Sequence, residues 1–157
     1  MLRTLMNTVA QIRMFRRADM RSLLDIERAA FPEEAYPKSL FEELFKKCGD
    51  LFLVAERRQR ILGYMITCVT ARKAEIVSIA VHPNKQRLGI GRALMKSTLQ
   101  ELEGRQVRTL ELTVRDANKG ALRFYRRFGF RRIRTVTRYY EDGSDGVQMR
   151  KQLAAYH

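Results

Sequence analysis

The sequence predicts an α/β fold, a mixed sheet flanked by helices, and three observations carry that expectation. Short runs of branched apolar residues alternate along the chain with longer stretches whose apolar positions recur at helical spacing. The run Ile76 to Val81 reads as a buried strand, and it passes through a two-glycine junction directly into an amphipathic helix. With 157 residues, of which 45% are hydrophobic, the chain is long enough for one domain with its own core.

Taken in order, Ile12 to Phe15 is expected to be a first strand, and Asp19 to cap a helix through Leu23, Leu24, Ile26 and Ala30. Phe31-Pro32-Glu33-Glu34-Ala35-Tyr36-Pro37 interrupts helix, because a residue that precedes proline avoids the α region. Lys38 to Lys47 resumes as a helix with Leu40, Phe41, Leu44 and Phe45 inward. Leu51 to Glu56 and Ile61 to Val69 form a hairpin around the charged turn Arg57-Arg58-Gln59-Arg60.

After the central strand, Ile90, Leu94, Thr98 and Leu102 recur every four residues with Met95 and Leu99 beside them, while Arg92, Lys96, Gln100 and Glu103 take the other side. Gly104 is the expected C-terminal cap. Val107 to Val114 alternates, with Leu110, Leu112 and Val114 on one face and Thr109, Glu111 and Thr113 on the other. From Asn118 to Phe128 a helix sets Ala121, Leu122, Tyr125 and Phe128 against Lys119, Arg123, Arg126 and Arg127, and Gly129 ends it. Phe130 to Val136 and Gly146 to Leu153 are the last strands, separated by a loop that begins Tyr139-Tyr140. No repeat, low-complexity tract or interdomain linker interrupts the order.

Composition narrows the function classes. No apolar run approaches the ~20 residues that span a bilayer, and Met1 to Met14 lacks the features of a signal peptide, so a cytoplasmic protein is expected. Cys48 and Cys68 show no metal-like pairing and read as buried free thiols rather than a disulfide; no metal is expected. The net charge of +14 is compatible with nucleic acid, the ribosome or an acidic partner, although no RNA-recognition aromatic motif, zinc pattern or leucine zipper is present.

The central junction carries the chemistry. The first turn of a helix leaves about four N–H groups without intrahelical acceptors, and the dipole adds positive charge there. Gly89 and Gly91 would leave those donors unshielded, and Gln86, Arg87 and Arg92 add further donors, which suits a phosphate. The spacing Gln-x-x-Gly-x-Gly differs from the dinucleotide and nucleoside-triphosphate fingerprints. Taken alone, the glycines could equally serve close packing of a turn.

These residues resemble the GNAT N-acetyltransferases, whose hallmark is Gln/Arg-x-x-Gly-x-Gly/Ala between the fourth strand and third helix. A second block, Asn118 to Phe130, resembles the family's Asn-x-x-Ala-x-x-x-Tyr-x-x-x-Gly-Phe segment, with Asn118 and Tyr125 two helical turns apart. The resemblance implies a single-domain GNAT fold over residues 11–153, with an extension at 1–10 and a tail at 154–157. Its sheet would be mostly antiparallel, about seven strands with about four helices. It also implies acetyl-CoA as cosubstrate, held by Ile79, Ala80, Val81, Gln86, Arg87, Leu88, Gly89, Ile90, Gly91, Arg92, Asn118 and Tyr125.

Phe31-Pro32 and Tyr36-Pro37 between the first two helices, together with Tyr139-Tyr140 before the last strand, are similar to the protein N-terminal acetyltransferases. Those include the ribosomal-protein alanine acetyltransferase and the archaeal Nα-acetyltransferases, in which the two loops clamp the start of a peptide. That likeness makes Phe31, Pro32, Glu33, Tyr36, Tyr139 and Tyr140 substrate-binding candidates, with Glu33 or Glu34 attracting the ammonium end.

An α-amine with a pKa near ~8 needs little help to lose its proton. Direct attack on a thioester within a ternary complex then creates an oxyanion, which a backbone N–H near Ile79 to Val81 could stabilise. Tyr125 is the candidate acid for the departing thiolate, although its position alone also suits a core tyrosine beside Phe128. Bacterial relatives place a base, glutamate, where this chain has Thr113. Glu75 is the substitute candidate, working through water, and Glu111 the second; either could be a plain strand-end charge. Three functions stay open: acetylation of a protein N-terminus, acetylation of a small amine or lysine side chain, and a basic RNA- or ribosome-binding module without catalysis.

Overall fold

A computed structural model describes residues 10–86 and 88–153. Arg87, the tail 154–157 and all of the extension except Ala10 lie outside the described residues. Among those described, the strands are β1 Gln11–Met14, β2 Phe52–Arg57, β3 Arg60–Thr70, β4 Lys73–Val81, β5 Thr109–Arg115, β6 Arg131–Val136 and β7 Gly146–Gln152. The helices are α1 Met20–Ala30, α2 Lys38–Cys48, α3 Ile90–Glu103 and α4 Lys119–Arg127. The sheet has seven strands in the order β1-β2-β3-β4-β5-β7-β6. β4 and β5 run parallel, while β1 with β2, β2 with β3, β5 with β7 and β6 with β7 are antiparallel. This is the mixed, mostly antiparallel α/β fold that the sequence predicts. β4 starts earlier than expected because its polar opening, Lys73-Ala74-Glu75, lacks an apolar run but still pairs with Thr109 to Glu111.

The described residues form two compact units, one within 10–68 and 77–102 and the other within 69–76 and 103–153. In the first, the inward face of α1 and α2 meets β2 and β3. Leu23, Ile26, Phe41, Phe52, Val54, Tyr64 and Ile66 are all buried there. The Phe15 ring stacks on Phe52 at 4.2 Å, and Phe41 meets Tyr64 edge-on at 5.8 Å. Each fully buried aromatic or aliphatic side chain of this kind contributes about 1.5–3 kcal/mol.

Two expectations change in this unit. Cys48 and Cys68 are not free thiols but a disulfide, with Cα atoms 5.1 Å apart. The end of α2 lies against β3, a proximity that 20 residues of sequence separation do not reveal. Asp19 precedes the first residue of α1 but donates no cap to it; its carboxylate instead accepts the Arg16 N–H at 2.8 Å and both terminal nitrogens of Arg13 at 2.8 and 2.9 Å. Arg13 also reaches Glu56 at 2.7 Å, tying β1, the start of α1 and β2 together.

In the second unit, Leu110, Leu112, Val147 and Met149 bury one face of β5 and β7, and Leu122, Tyr125 and Phe130 are buried as well. Gly104 follows α3 without entering the left-handed region; Gln106, at φ 58°, makes that turn instead.

Candidate active site

β4 ends at Val81, with Ala80 buried and Ile79 and Val81 half-buried. The His82 N–H donates to the Leu62 carbonyl at 2.8 Å, which holds the strand's exit against β3. A short 3-10 turn, Pro83–Lys85, brings the chain to Gln86 and then to Gly89. Gly89 has φ +77° and a Cβ built there would meet nothing within 4 Å. Its glycine therefore serves the left-handed backbone and not close packing. The space around Gly89 is open, so close packing of the turn is not what requires a glycine at that position. α3 begins at Ile90, buried beneath the turn, while Gln86, Leu88, Gly89 and Arg92 are exposed. The first bond of the helix runs from the Ala93 N–H to the Gly89 carbonyl, so the N–H groups before Ala93 point out of the helix end. Exposed donors, the positive helix end and open surroundings fit a diphosphate.

The loop after α1 is pinned from below. Glu27, 1% exposed, accepts the Tyr36 N–H at 2.9 Å through one oxygen and the Tyr64 hydroxyl through the other; that hydroxyl also lies 2.9 Å from Ser78 Oγ. Burial first, and then the Glu27 charge, push the Tyr64 phenol far up, so it remains a neutral donor. Phe31 packs against the core and Tyr36 sits 6.1 Å from the Phe41 ring, while Pro32, Glu33 and the Tyr36 ring edge face solvent. The loop thus presents its candidate residues from a fixed backbone.

In the second unit, Asn118 caps α4 by accepting the Ala121 N–H at 3.1 Å, and Tyr125 is buried two turns further on. Its ring lies 5.3 Å from Phe124 and 5.6 Å from Phe130. Burial pushes its phenol up, with a smaller push from Tyr140, so Tyr125 holds its proton at neutral pH. Both roles considered for it, packing and acid, are thus compatible with one geometry.

Tyr139 and Tyr140 meet edge-on at 4.9 Å. The Arg115 guanidinium lies 4.0 Å over the Tyr140 ring and bonds Asp142 at 3.0 Å and Ser144 as well. Hydrogen bonds from Ser144 first, and then Arg115, hold the Asp142 carboxyl below its usual range. The loop closes with the Tyr140 N–H on the Ser144 carbonyl and with Gly143 at φ +84°. A Cβ on Gly146 would come within 2.8 Å of Thr113 Cγ2 and 3.3 Å of the Tyr139 ring, so only glycine lets the tyrosine lie beside Thr113.

The base candidates occupy the same strand face. Glu75 and Glu111 are partners in the β4–β5 register, and Thr113 follows two residues on. Glu111 is 4% exposed and bound to Lys73 at 2.6 Å and Arg150 at 3.1 Å, with Gln148 also donating. Burial would raise its carboxyl, but Lys73 and Arg150 outweigh that and hold it low. A carboxylate so committed is a strut for β4, β5 and β7 and a poor base. Glu75 is exposed and keeps its carboxylate available.

Sequence reasoning missed Glu27, Tyr64 and Arg115. Glu27 carried a signal, an acid at helical spacing from Leu23, Ile26 and Ala30 on the inward face of α1. Arg115 carried none beyond its place at the end of β5.

Comparison with known proteins decides the family, since residues 19–130 match the acetyltransferase (GNAT) family. The chain belongs to that family. It is accordingly an N-acetyltransferase rather than a basic module without catalysis. It is 31% identical over 156 residues to an N-alpha-acetyltransferase of Sulfolobus acidocaldarius, covering 91% of this chain and 92% of the relative. It is 35% identical over 144 residues to the [ribosomal protein bS18]-alanine N-acetyltransferase of Escherichia coli, covering 90% of this chain and 91% of the relative. Its fold matches the crystal structure of Ard1 from Thermoplasma volcanium with a TM-score of 0.89 at 26% identity, over 93% of this chain and 99% of that one.

Proposed function

We propose that this GNAT acetyltransferase moves an acetyl group from acetyl-CoA to the α-amine of a protein N-terminus, in the cytoplasm and through a ternary complex. The observation that carries the reading is the pinned tyrosine loop. Arg115 stacks over the Tyr140 ring and bonds Asp142, which anchors Tyr140 to the loop, and Tyr139 meets Tyr140 edge-on at 4.9 Å. Rigid aromatics contact an extended backbone with little entropy cost and little dependence on sequence. The anchored loop with Phe31, Pro32, Glu33 and Tyr36 supports the same reading, as do relatives that act on protein N-termini.

In this reading Gln86 to Arg92 hold the pyrophosphate of acetyl-CoA, with Ile79 to Val81 and Asn118 along the rest of the cosubstrate. Glu75 takes the ammonium proton through water, and the neutral amine nitrogen attacks the thioester carbonyl carbon. The C–N bond forms and the C–S bond breaks; Tyr125 gives its proton to the thiolate and is restored by the second proton that leaves the nitrogen. The partner is a protein N-terminus, and the positive charge of +14 adds a ribosomal or acidic partner.

The test is acetyl transfer from acetyl-CoA to peptides that offer both an α-amine and an internal lysine, read by mass spectrometry. Acetyl on the α-amine is expected. Acetyl chiefly on internal lysines or on small amines would move the assignment to the second reading. The Cys48–Cys68 disulfide bears on the compartment, since intracellular disulfides are the rule mainly in hyperthermophiles; thiol labelling of protein taken directly from cells tests it.

A further inference from the structure

The surplus charge has an address. From Ala117 to Tyr140 the sequence holds eight Lys and Arg residues and no Asp or Glu. On α4, Lys119, Arg123, Arg126 and Arg127 are all exposed, and their spacing places them along one face of the helix. A tight turn follows, with the Gly129 N–H on the Arg126 carbonyl and the Phe130 N–H on the Tyr125 carbonyl. The chain then enters β6 with Arg131, Arg132 and Arg134 exposed. Among the described residues Asp116 answers Lys119, at 3.8 Å, and Arg132, at 3.6 Å. Among the described residues Arg123, Arg126, Arg127 and Arg131 form no ion pair.

Arginines on β6 alone would be explained by its place at the edge of the sheet, where charge deters edge-to-edge pairing. That explanation does not reach the helix, whose stripe continues the same charge onto a surface with no open edge. An acidic protein surface is the less fitting occupant. Protein interfaces are built around a desolvated apolar core, and between Lys119 and Arg134 Ile133 is the one large apolar side chain exposed. What remains is a row of planar, permanently charged forks, which suits phosphates regardless of sequence.

We infer that the α4–β6 face is a docking surface for the phosphate backbone of RNA. RNA rather than DNA follows from the proposed function, since newly made N-termini arise at the ribosome; the inference rests on that reading for the choice of nucleic acid and on the charge for the rest. The contacts are electrostatic and add nothing to the acetyl-transfer step itself.

The test is fluorescence anisotropy with a labelled RNA hairpin, a DNA duplex of equal length and polyglutamate, over a salt series. The full chain is compared with the quadruple variant Arg123→Gln, Arg126→Gln, Arg127→Gln, Arg131→Gln, and with Lys46→Gln, Lys47→Gln on α2 as a charge control. If about four phosphates are neutralised, RNA binding should weaken roughly 10²-fold between about 50 and 200 mM salt. The quadruple variant should lose about four phosphate contacts from that slope; the control should keep nearly all of it. Both variants should retain acetyl transfer to peptides. An unchanged salt slope in the quadruple variant, or tighter binding of polyglutamate or of duplex DNA than of the RNA hairpin, would overturn the inference. Failure of the peptide assay with RNA binding intact would instead overturn the proposed function, so the two failures are told apart.

Discussion

Glu27 and Tyr64 form a buried acid–phenol pair, at 1% and 0% exposure, in which the carboxylate accepts from the hydroxyl. The second carboxylate oxygen holds the Tyr36 N–H, so a core hydrogen bond is coupled to the placement of the loop that we assign to peptide binding. Tyr64→Phe removes one donor and leaves half of a buried carboxylate unanswered, which costs about 1–3 kcal/mol. Urea unfolding should show a lower midpoint with an unchanged slope. The KM for peptide should rise while calorimetry finds acetyl-CoA binding unaltered; a matching loss of both would reduce Glu27 and Tyr64 to general core stability.

The glycine junction makes a separate prediction. Gly89→Ala places a Cβ in open space but at φ +77°, where an L-residue is strained by roughly 1–2 kcal/mol. The turn should relax away from its present path, and calorimetry should show weaker acetyl-CoA binding in a protein whose peptide-site residues are untouched. Wild-type affinity in the folded variant would remove the backbone N–H groups of this junction from the cosubstrate site.

The disulfide closes a loop across 20 residues between α2 and β3. Cross-linking a loop of that length lowers the entropy of the unfolded chain and stabilises by about 3 kcal/mol. Reduction, or Cys48→Ser with Cys68→Ser, should lower the thermal midpoint while leaving the α1–α2 packing intact. Equal midpoints with and without reductant would show the bond absent in solution.

Acid sensitivity should trace chiefly to the two buried carboxylates that are held low, Asp19 and Glu111, because the lowered Asp142 is exposed and solvent-screened. Asp19 is held low, chiefly by Arg13, and Glu111 is held low by Lys73 and Arg150 against the opposing effect of burial. A depressed carboxyl contributes stability that is present above its unfolded pKa near ~4 and disappears as pH falls through the lower folded value. Unfolding midpoints should therefore be level from neutral pH to about 5 and fall below ~4. Asp19→Asn and Glu111→Gln should each start lower at pH 7 and lose less on acidification; a parallel descent of variant and parent would place the acid sensitivity elsewhere.

What the sequence made legible was periodic or local. The apolar repeat of α3 and the alternation of β5 announced their elements because one face of each must be buried, and Gly89 marked the junction because only glycine accepts φ +77° without strain. Cys48 with Cys68, Glu27 with Tyr64, and Arg115 with Tyr140 stayed hidden because each is a contact between distant segments, fixed by how strands and helices stack and not by spacing. Glu111 shows the limit from the other side. Alternation placed it correctly on the face with Thr113, but only its neighbours Lys73 and Arg150, brought in by β4 and β7, reveal that its charge is already in use.

Tyr125 tests whether a buried tyrosine can be both wall and acid. Tyr125→Phe keeps the ring between Phe124 and Phe130, at 5.3 and 5.6 Å, so folding and acetyl-CoA binding should be close to those of the parent. The proton is lost, and general acid catalysis of this kind is worth roughly 10²–10⁴-fold, which should appear in kcat. Because burial first and Tyr140 second push the Tyr125 phenol above its ordinary value, it stays protonated through the alkaline range in which the substrate amine becomes neutral. The rate should therefore rise with pH as the α-amine, with a pKa near ~8, loses its proton, and should show no alkaline fall from Tyr125 below about pH 10. In Tyr125→Phe the same rise should persist at a lower plateau, since the amine and not the phenol governs it. A variant with an unchanged kcat under conditions where chemistry limits turnover would assign Tyr125 to packing alone and leave the thiolate to take its proton from water.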